Sequence, residues 1–258
     1  MADLEPLQTE NLSEKFSWEK PERKDQAGSL VIFGGSSFKL KEVDSLFKAA
    51  KKYGVGVVSA LVPESLAKVF KRDDPYLIPI ALDSYFGLTD VGFKALQEES
   101  LLADGLILAD IGNNSSTILK LARLASSSLK PVVLTDSTLS LILSHPNEIL
   151  QNKLAVLVIS FQNLQKLIKA SNIELGEALT SQVGINKKID TISKLSSSVQ
   201  AKVVLIDEGR IISVDQDYYI NLELESSTLE LTAHLAAWDI WSPTTPFLER
   251  LFISNQKS

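Results

Sequence analysis

The sequence predicts an α/β protein built on one mostly parallel sheet with helices on both faces and an antiparallel hairpin at one edge. Three observations predict it. Short apolar runs recur along the chain at the length of buried strands, amphipathic stretches separate them, and after residue 206 the pattern changes to two closely spaced strands. Alternation of the first two kinds is the signature of a parallel sheet that crossover helices cover.

The expected buried strands are Leu30–Phe33, Val55–Leu61, Leu77–Leu82, Leu106–Ala109, Val132–Leu134, Leu154–Ile159 and Val203–Ile206. Their near-continuous apolar character suits strands covered on two sides. The clearest helix is Lys39–Tyr53, where Leu40, Val43, Leu46, Phe47 and Ala50 recur at helical spacing and Gly54 stands at the C-terminal cap. Arg210–Val214 and Tyr218–Glu225 flank the polar turn Asp215–Asp217 and read as the hairpin. A last helix, Thr228–Trp241, has so little polar face that burial on most sides is expected.

Residues 1–27 carry seven acids and four bases with few periodic apolar positions. They are expected to form an acidic arm, dispensable for stability, ahead of one domain spanning residues 28–258.

The 258 residues include 26 Lys plus Arg against 32 Asp plus Glu, a formal net charge of −6, which argues against a nucleic-acid partner. The absence of Cys excludes disulfides, thiolate metal sites and Cys nucleophiles. Only His145 and His234 are present, so a multi-histidine metal site is excluded too. The longest apolar run, Leu154 to Ile159, falls short of the roughly 18 residues of a membrane span. The first 20 residues lack the apolar core of a leader. A cytoplasmic protein without a membrane partner is expected.

Several segments could carry chemistry. Gly34-Gly35-Ser36-Ser37 follows a strand and precedes a helix, so its N–H groups could hold an anion, or it could be a tight turn with a Ser cap. Ala109 to Ser116 offers a weaker version, with Asn114 or Ser115 as a cap. Asp136 ends a strand at the carboxyl edge of the sheet, where open α/β folds bind ligands; it could move a proton, hold a metal, or cap a helix over Ser137–Leu143. His145-Pro146-Asn147-Glu148 precedes a strand, at the opposite edge, and reads as a helix start. His234 lies inside the apolar helix and reads as a core histidine. Ser227-Thr228-Leu229-Glu230 opens that helix, where caps and an acid are favoured.

The order of these pieces resembles the ADP- or ATP-dependent NAD(P)H-hydrate dehydratases of the ribokinase-like superfamily. The resemblance is carried by Lys24–Gly28, Gly34-Gly35-Ser36, Tyr53-Gly54-Val55-Gly56-Val57-Val58-Ser59, Pro63-Glu64-Ser65, Lys130-Pro131-Val132-Val133-Leu134, Val203–Leu205 and the hairpin, over roughly residues 20–240. It implies a ribokinase-like three-layer α/β/α sandwich. It also implies a repair reaction in which a nucleotide phosphorylates hydrated NADH or NADPH and elimination of phosphate restores the nicotinamide.

The family's Gly-Thr-Gly-Asp, whose glycine N–H groups form an anion hole and whose Asp is the base, falls on Ser227, Thr228, Leu229 and Glu230. The resemblance thus implies Glu230 as the base and Ser227, Thr228 and Leu229 as contacts to ADP or ATP, with Mg as a companion ion; in a kinase of the superfamily, Glu230 or Asp136 would deprotonate a substrate hydroxyl. It implies Gly34, Gly35, Ser36, Ser160 and Asn163 on the substrate side. Asp-Ala-Asp becomes Thr135-Asp136-Ser137. Thr-Pro-His-Pro-Gly-Glu falls on Val158 to Asn163, Gly-Pro-Gly on Ala109-Asp110-Ile111, and Lys-Gly on Ile206-Asp207. A side chain at Leu229 excludes the close approach that glycine allows, and one lost oxyanion donor costs about 3 kcal/mol. Glu230 carries its charge about one bond, roughly 1.5 Å, further out.

These departures predict a binding or assembly paralogue with weakened or lost catalysis; the alternatives are an active dehydratase or a small-molecule kinase of the same superfamily. Expected partners are a small-molecule nucleotide and copies of the chain itself. For assembly, Trp238, Trp241, Phe247 and Phe252 are either anchors or ordinary core.

Overall fold

The structure is a computed structural model that describes residues 4–10, 12–35, 40–67, 76–85, 87–175, 179–180 and 182–256. Along the chain run β1 (Glu5–Pro6), α1 (Leu12–Ser17), β2 (Ser29–Phe33), α2 (Leu40–Tyr53), β3 (Val57–Pro63), α3 (Glu64–Ala67) and β4 (Leu77–Ile80). Then come α4 (Asp90–Leu102), β5 (Gly105–Leu108), α5 (Ser115–Ser127), β6 (Val132–Leu134), α6 (Leu139–Ser144), α7 (Pro146–Leu150), β7 (Ala155–Ser160) and α8 (Phe161–Ala170). The last third holds α9 (Ile185–Ser198), β8 (Lys202–Asp207), β9 (Arg210–Asp215), β10 (Tyr218–Glu223), α10 (Thr228–Trp241) and α11 (Phe247–Asn255).

The ten strands among the described residues form one sheet in the order β1-β10-β9-β8-β7-β6-β5-β2-β3-β4. Strands β2 to β8 pair in parallel, whereas β9 is antiparallel to both β8 and β10. The pleat sorts the strand residues onto two faces. Val31, Phe33, Leu106, Leu108, Leu134, Leu157 and Leu205 enter the core beneath α4 to α9. Leu30, Ile32, Ile107, Val133, Val156, Val158 and Val204 enter the core beneath α2, α10 and α11. This period-2 alternation within almost wholly apolar strands is why each could be found as a short run but not assigned a face.

Strand β2 lies between β3 and β5, so the chain runs outward through β3 and β4 and then returns to the other side of β2. That reversal makes a crevice at the carboxyl ends of β2 and β5. Gly34 lies there because a Cβ on it would sit 2.1 Å from the carbonyl oxygen of Ala109 and 2.9 Å from the Val43 side chain. Gly54, with φ of 101°, ends α2 as expected. Nine consecutive residues of α10, Leu231 to Asp239, are buried, which explains its lack of a polar face.

The stretch expected to be a loose arm is docked on the body. β1 pairs in parallel with β10, and the Leu7 N–H donates to the Tyr219 carbonyl at 2.9 Å. Leu12 and Phe16 are buried with Trp238 in a small apolar cluster. Glu19 accepts hydrogen bonds from the hydroxyls of Ser242 at 2.6 Å and Thr245 at 3.2 Å. Among the described residues of this stretch, Leu4, Leu7, Leu12 and Phe16 pack against the body, too few to show a periodic pattern.

Candidate functional site

A cleft of about 640 Å³ opens at the carboxyl edge of the sheet, lined by Lys41, Glu42 and Ser45 of α2, Thr135, Asp136 and Ser137 after β6, Val158 of β7, and Thr228, Leu229 and Thr232 of α10. Its place follows from the topology, since the starts of α2 and α10 and the turn after β6 converge beside the reversal at β2. The volume lies within the usual range for small-molecule sites.

Of the residues expected from sequence, Asp136, Thr228 and Leu229 line the cleft, and Ser160 and Asn163 bond to Asp136. The carboxylate Oδ1 of Asp136 accepts the backbone N–H of Ser160 at 2.6 Å and the side-chain amide of Asn163 at 2.7 Å. Asp136 does not cap a helix: it opens a single 3-10 turn, Asp136–Thr138, and α6 begins only at Leu139. Its carboxylate ties the end of β6 to the start of α8 instead. Ser160 and Asn163 thereby hold Asp136.

Glu42, in the first turn of α2, is a site residue that sequence reasoning did not single out. Its Oε1 accepts from the hydroxyls of Thr135 and Ser137, each at 2.8 Å. The Ser137 oxygen in turn accepts the backbone N–H of Asp110 at 2.7 Å. The only hint in the sequence was an acid in the first turn of a helix that follows two glycines.

The start of α10 is arranged differently from an anion hole. Ser227 and Glu230 form a capping box: the Ser227 hydroxyl oxygen accepts the Glu230 N–H at 3.2 Å, and Glu230 Oε2 accepts the Ser227 N–H at 3.2 Å. Glu230 Oε1 pairs with Lys52 at 3.2 Å. The Ser227 N–H, together with Lys52, holds the Glu230 carboxyl below the ordinary Glu range. Glu230 is thus tied to the cap and to the end of α2 and is not among the residues lining the cleft. Leu229 borders the cleft and packs against the α2–α10 core.

A phosphate at this helix start would find two backbone donors, the Ser227 and Glu230 N–H groups, already bonded within the capping box, with the Glu230 carboxylate beside them. Among the described residues there is no group of three or more His, Asp or Glu side chains that could hold a metal ion.

The other candidates among the described residues lie outside this cleft. Gly34 and Gly35 form the turn after β2, with Gly35 at φ of 88°, and Gly34 is packed against Ala109; Ser36 lies outside the described residues. Asn114 caps α5 by accepting the Thr117 N–H at 3.1 Å, and Pro146 opens α7. His234 is buried, with its ring stacked on Tyr53 at 3.9 Å. Its Nε2 accepts the indole N–H of Trp238 at 3.0 Å, which makes Nδ1 the donor to the Ser254 carbonyl at 2.9 Å. Burial pushes this imidazole down to about 4, so it is neutral at pH 7. Of the aromatics near the end of the chain, Trp238 and Phe247 are buried in the core, and Trp241 and Phe252 are partly buried against it.

No protein-family model matches the chain, and no curated protein matches it. Solved structures do. A ribokinase-like superfamily protein of Enterococcus faecalis superposes with a TM-score of 0.68 at 13% identity, over 99% of this chain and 87% of that one. A UPF0031 family member from Bacillus subtilis gives 0.61 at 12% identity, over 97% and 86% of the two chains. The pyridoxal kinase of Staphylococcus aureus in complex with AMP-PCP gives 0.56 at 10% identity, over 88% and 85%. The chain therefore has the ribokinase-like fold, with kinases among its structural neighbours. No helix among the described residues is long and apolar enough to cross a membrane.

Proposed function

We propose that this chain is a small-molecule-binding relative of the NAD(P)H-hydrate dehydratases in which catalysis is weakened or lost. The observation that carries this reading is the Ser227–Glu230 capping box. An anion hole needs free backbone donors aimed at developing negative charge. Here the Ser227 N–H, one of those groups, is bonded to the Glu230 carboxylate, so the residue at the base position is held by the cap and by Lys52. A carboxylate with a depressed affinity for protons is also a weaker general base. The cleft beside this helix start keeps the volume and polar lining of a ligand site.

The test is repair of hydrated NADH by purified protein with ADP or ATP. The expected rate is at least about a thousandfold below an intact dehydratase, because a lost oxyanion donor and a displaced base each cost about a hundredfold or more and need not act independently. Turnover within about 1–10³ s⁻¹ would overturn the reading.

A small-molecule kinase is the second reading, favoured by Asp136 at the cleft and by the nucleotide complexes of the S. aureus pyridoxal kinase. A thermal-shift screen with ADP, ATP, AMP, NADH and NADPH separates the two. A ligand at 100 times its Kd stabilises the folded state by about 2.7 kcal/mol. A shift with NADH or NADPH would favour the dehydratase relative, and a shift with ATP or ADP but with neither dinucleotide would favour the kinase.

A further inference from the structure

We propose that Glu42 is the anchoring and specificity-determining residue of the cleft, and that the ligand it selects is a small amino alcohol carrying no phosphate. The inference rests on the reading of the cleft as a ligand site and deepens it by naming the chemical class.

Both carboxylates that line the cleft are oriented in advance through one oxygen each. Glu42 Oε1 takes the hydroxyls of Thr135 and Ser137, and Ser137 is itself fixed by the Asp110 N–H. Asp136 Oδ1 takes the Ser160 N–H and the Asn163 amide. Among the described residues no hydrogen bond reaches Glu42 Oε2 or Asp136 Oδ2. An ionised carboxylate is an acceptor only, so the partner these oxygens select is a hydrogen-bond donor. Held by two donors apiece, the two acceptors lose little freedom when a ligand arrives.

Charge narrows the class further. Two carboxylates, Glu42 and Asp136, line the cleft against one cation, Lys41. The helix start of α10, which would otherwise favour an anion, already carries the Glu230 carboxylate. An ammonium group gains from this field, whereas a phosphate is repelled. Charge-assisted hydrogen bonds from an ammonium to a carboxylate are also about twice as strong as neutral ones. The hydroxyl-bearing Ser45 and Thr228 suit a ligand's own hydroxyls, and Val158 and Leu229 give its carbon skeleton an apolar wall.

The experiment is isothermal titration of the full chain with ethanolamine, glucosamine, glucose, glucosamine 6-phosphate and ADP. The expected result is that glucosamine binds at least about tenfold more tightly than glucose and than glucosamine 6-phosphate. Glu42→Gln should weaken it by at least about tenfold, while Glu98→Gln, an exposed acid on α4, leaves it within about twofold. Should Glu42→Gln fail to fold by circular dichroism, Asp136→Asn is read in its place with the same expected loss. Absence of heat with both amines at millimolar concentration overturns the proposal. So does equal binding by the variants, or preference for glucosamine 6-phosphate or ADP. Repair of hydrated NADH is assayed on the same sample. Turnover there would sink the reading of weakened catalysis and, because hydrated NADH and its nucleotide both carry phosphate, this inference with it, whereas loss of the amine preference without turnover sinks this inference alone.

Discussion

The ring of Phe16 meets the indole of Trp238 edge to face, with centroids 5.0 Å apart and planes at 87°. Phe16 is 1% exposed and Trp238 3%, so a helix near the start of the chain completes the core around the end of α10. Truncating a buried Phe to Ala removes apolar contact and leaves a cavity. Phe16→Ala should destabilise the protein by about 3 kcal/mol in urea unfolding. Deleting residues 2–22, which removes β1, α1 and the Glu19 contacts, should cost at least as much. A loss under about 0.5 kcal/mol would show that the docked segment contributes nothing.

Ser227→Ala removes the hydroxyl that caps α10 and should cost about 1 kcal/mol of stability. The more informative variant is Leu229→Gly combined with Glu230→Asp, which opens the helix start and shortens the acid. If the rest of the scaffold retains the dehydratase pocket, hydrated NADH should turn over in this variant where the parent shows none. No gain would place the loss of chemistry beyond this one turn.

Two buried groups give opposing pH dependences. Burial holds His234 at about 4, below its ordinary 6.5, so the unfolded chain protonates first as pH falls. Its contribution is complete above about pH 6.5 and is lost on the way down to pH 4, by up to about 3 kcal/mol. Burial pushes Asp239 up to about 6 despite Arg250 at 2.8 Å, so here the native state protonates first, and stability falls as pH rises from 4 to 6. His234→Gln should therefore lose less stability than the parent between pH 6.5 and 4, and Asp239→Asn should lose more. Parallel pH profiles for all three proteins in urea unfolding would refute this assignment.

Gly34→Ala tests whether this glycine serves packing. A Cβ there would meet the Ala109 carbonyl at 2.1 Å, and backbone cannot yield as a flexible side chain can. A cost of about 1–3 kcal/mol is expected, read as a lowered melting temperature. A variant of unchanged stability would return Gly34 to the list of ligand contacts.

Much of the fold was legible because buried strands and amphipathic helices leave strong local patterns. The runs from Val132 to Leu134 and from Thr228 to Trp241 match β6 and α10 residue for residue. The site was less legible. Asp136, Ser160 and Asn163 could be placed at one edge of the sheet, but their mutual hydrogen bonds join residues 24 and 27 positions apart. Glu42 gave no local signal because its partners, Thr135 and Ser137, lie 93 and 95 positions away.

By itself the sequence determined the α/β alternation, the hairpin after β8, the exclusion of cysteine chemistry, and the presence of caps where helices begin. These are properties of neighbouring residues, set by side-chain period and backbone preference. Only the tertiary structure decided that the first strand and helix belong to the body, that Glu230 turns to Ser227 and Lys52, and that Glu42 and Asp136 face one cleft. Each of those outcomes depends on which strands lie side by side. Sheet order follows from burying both faces of the sheet together, and contacts between residues far apart in the chain exist only once that burial is complete.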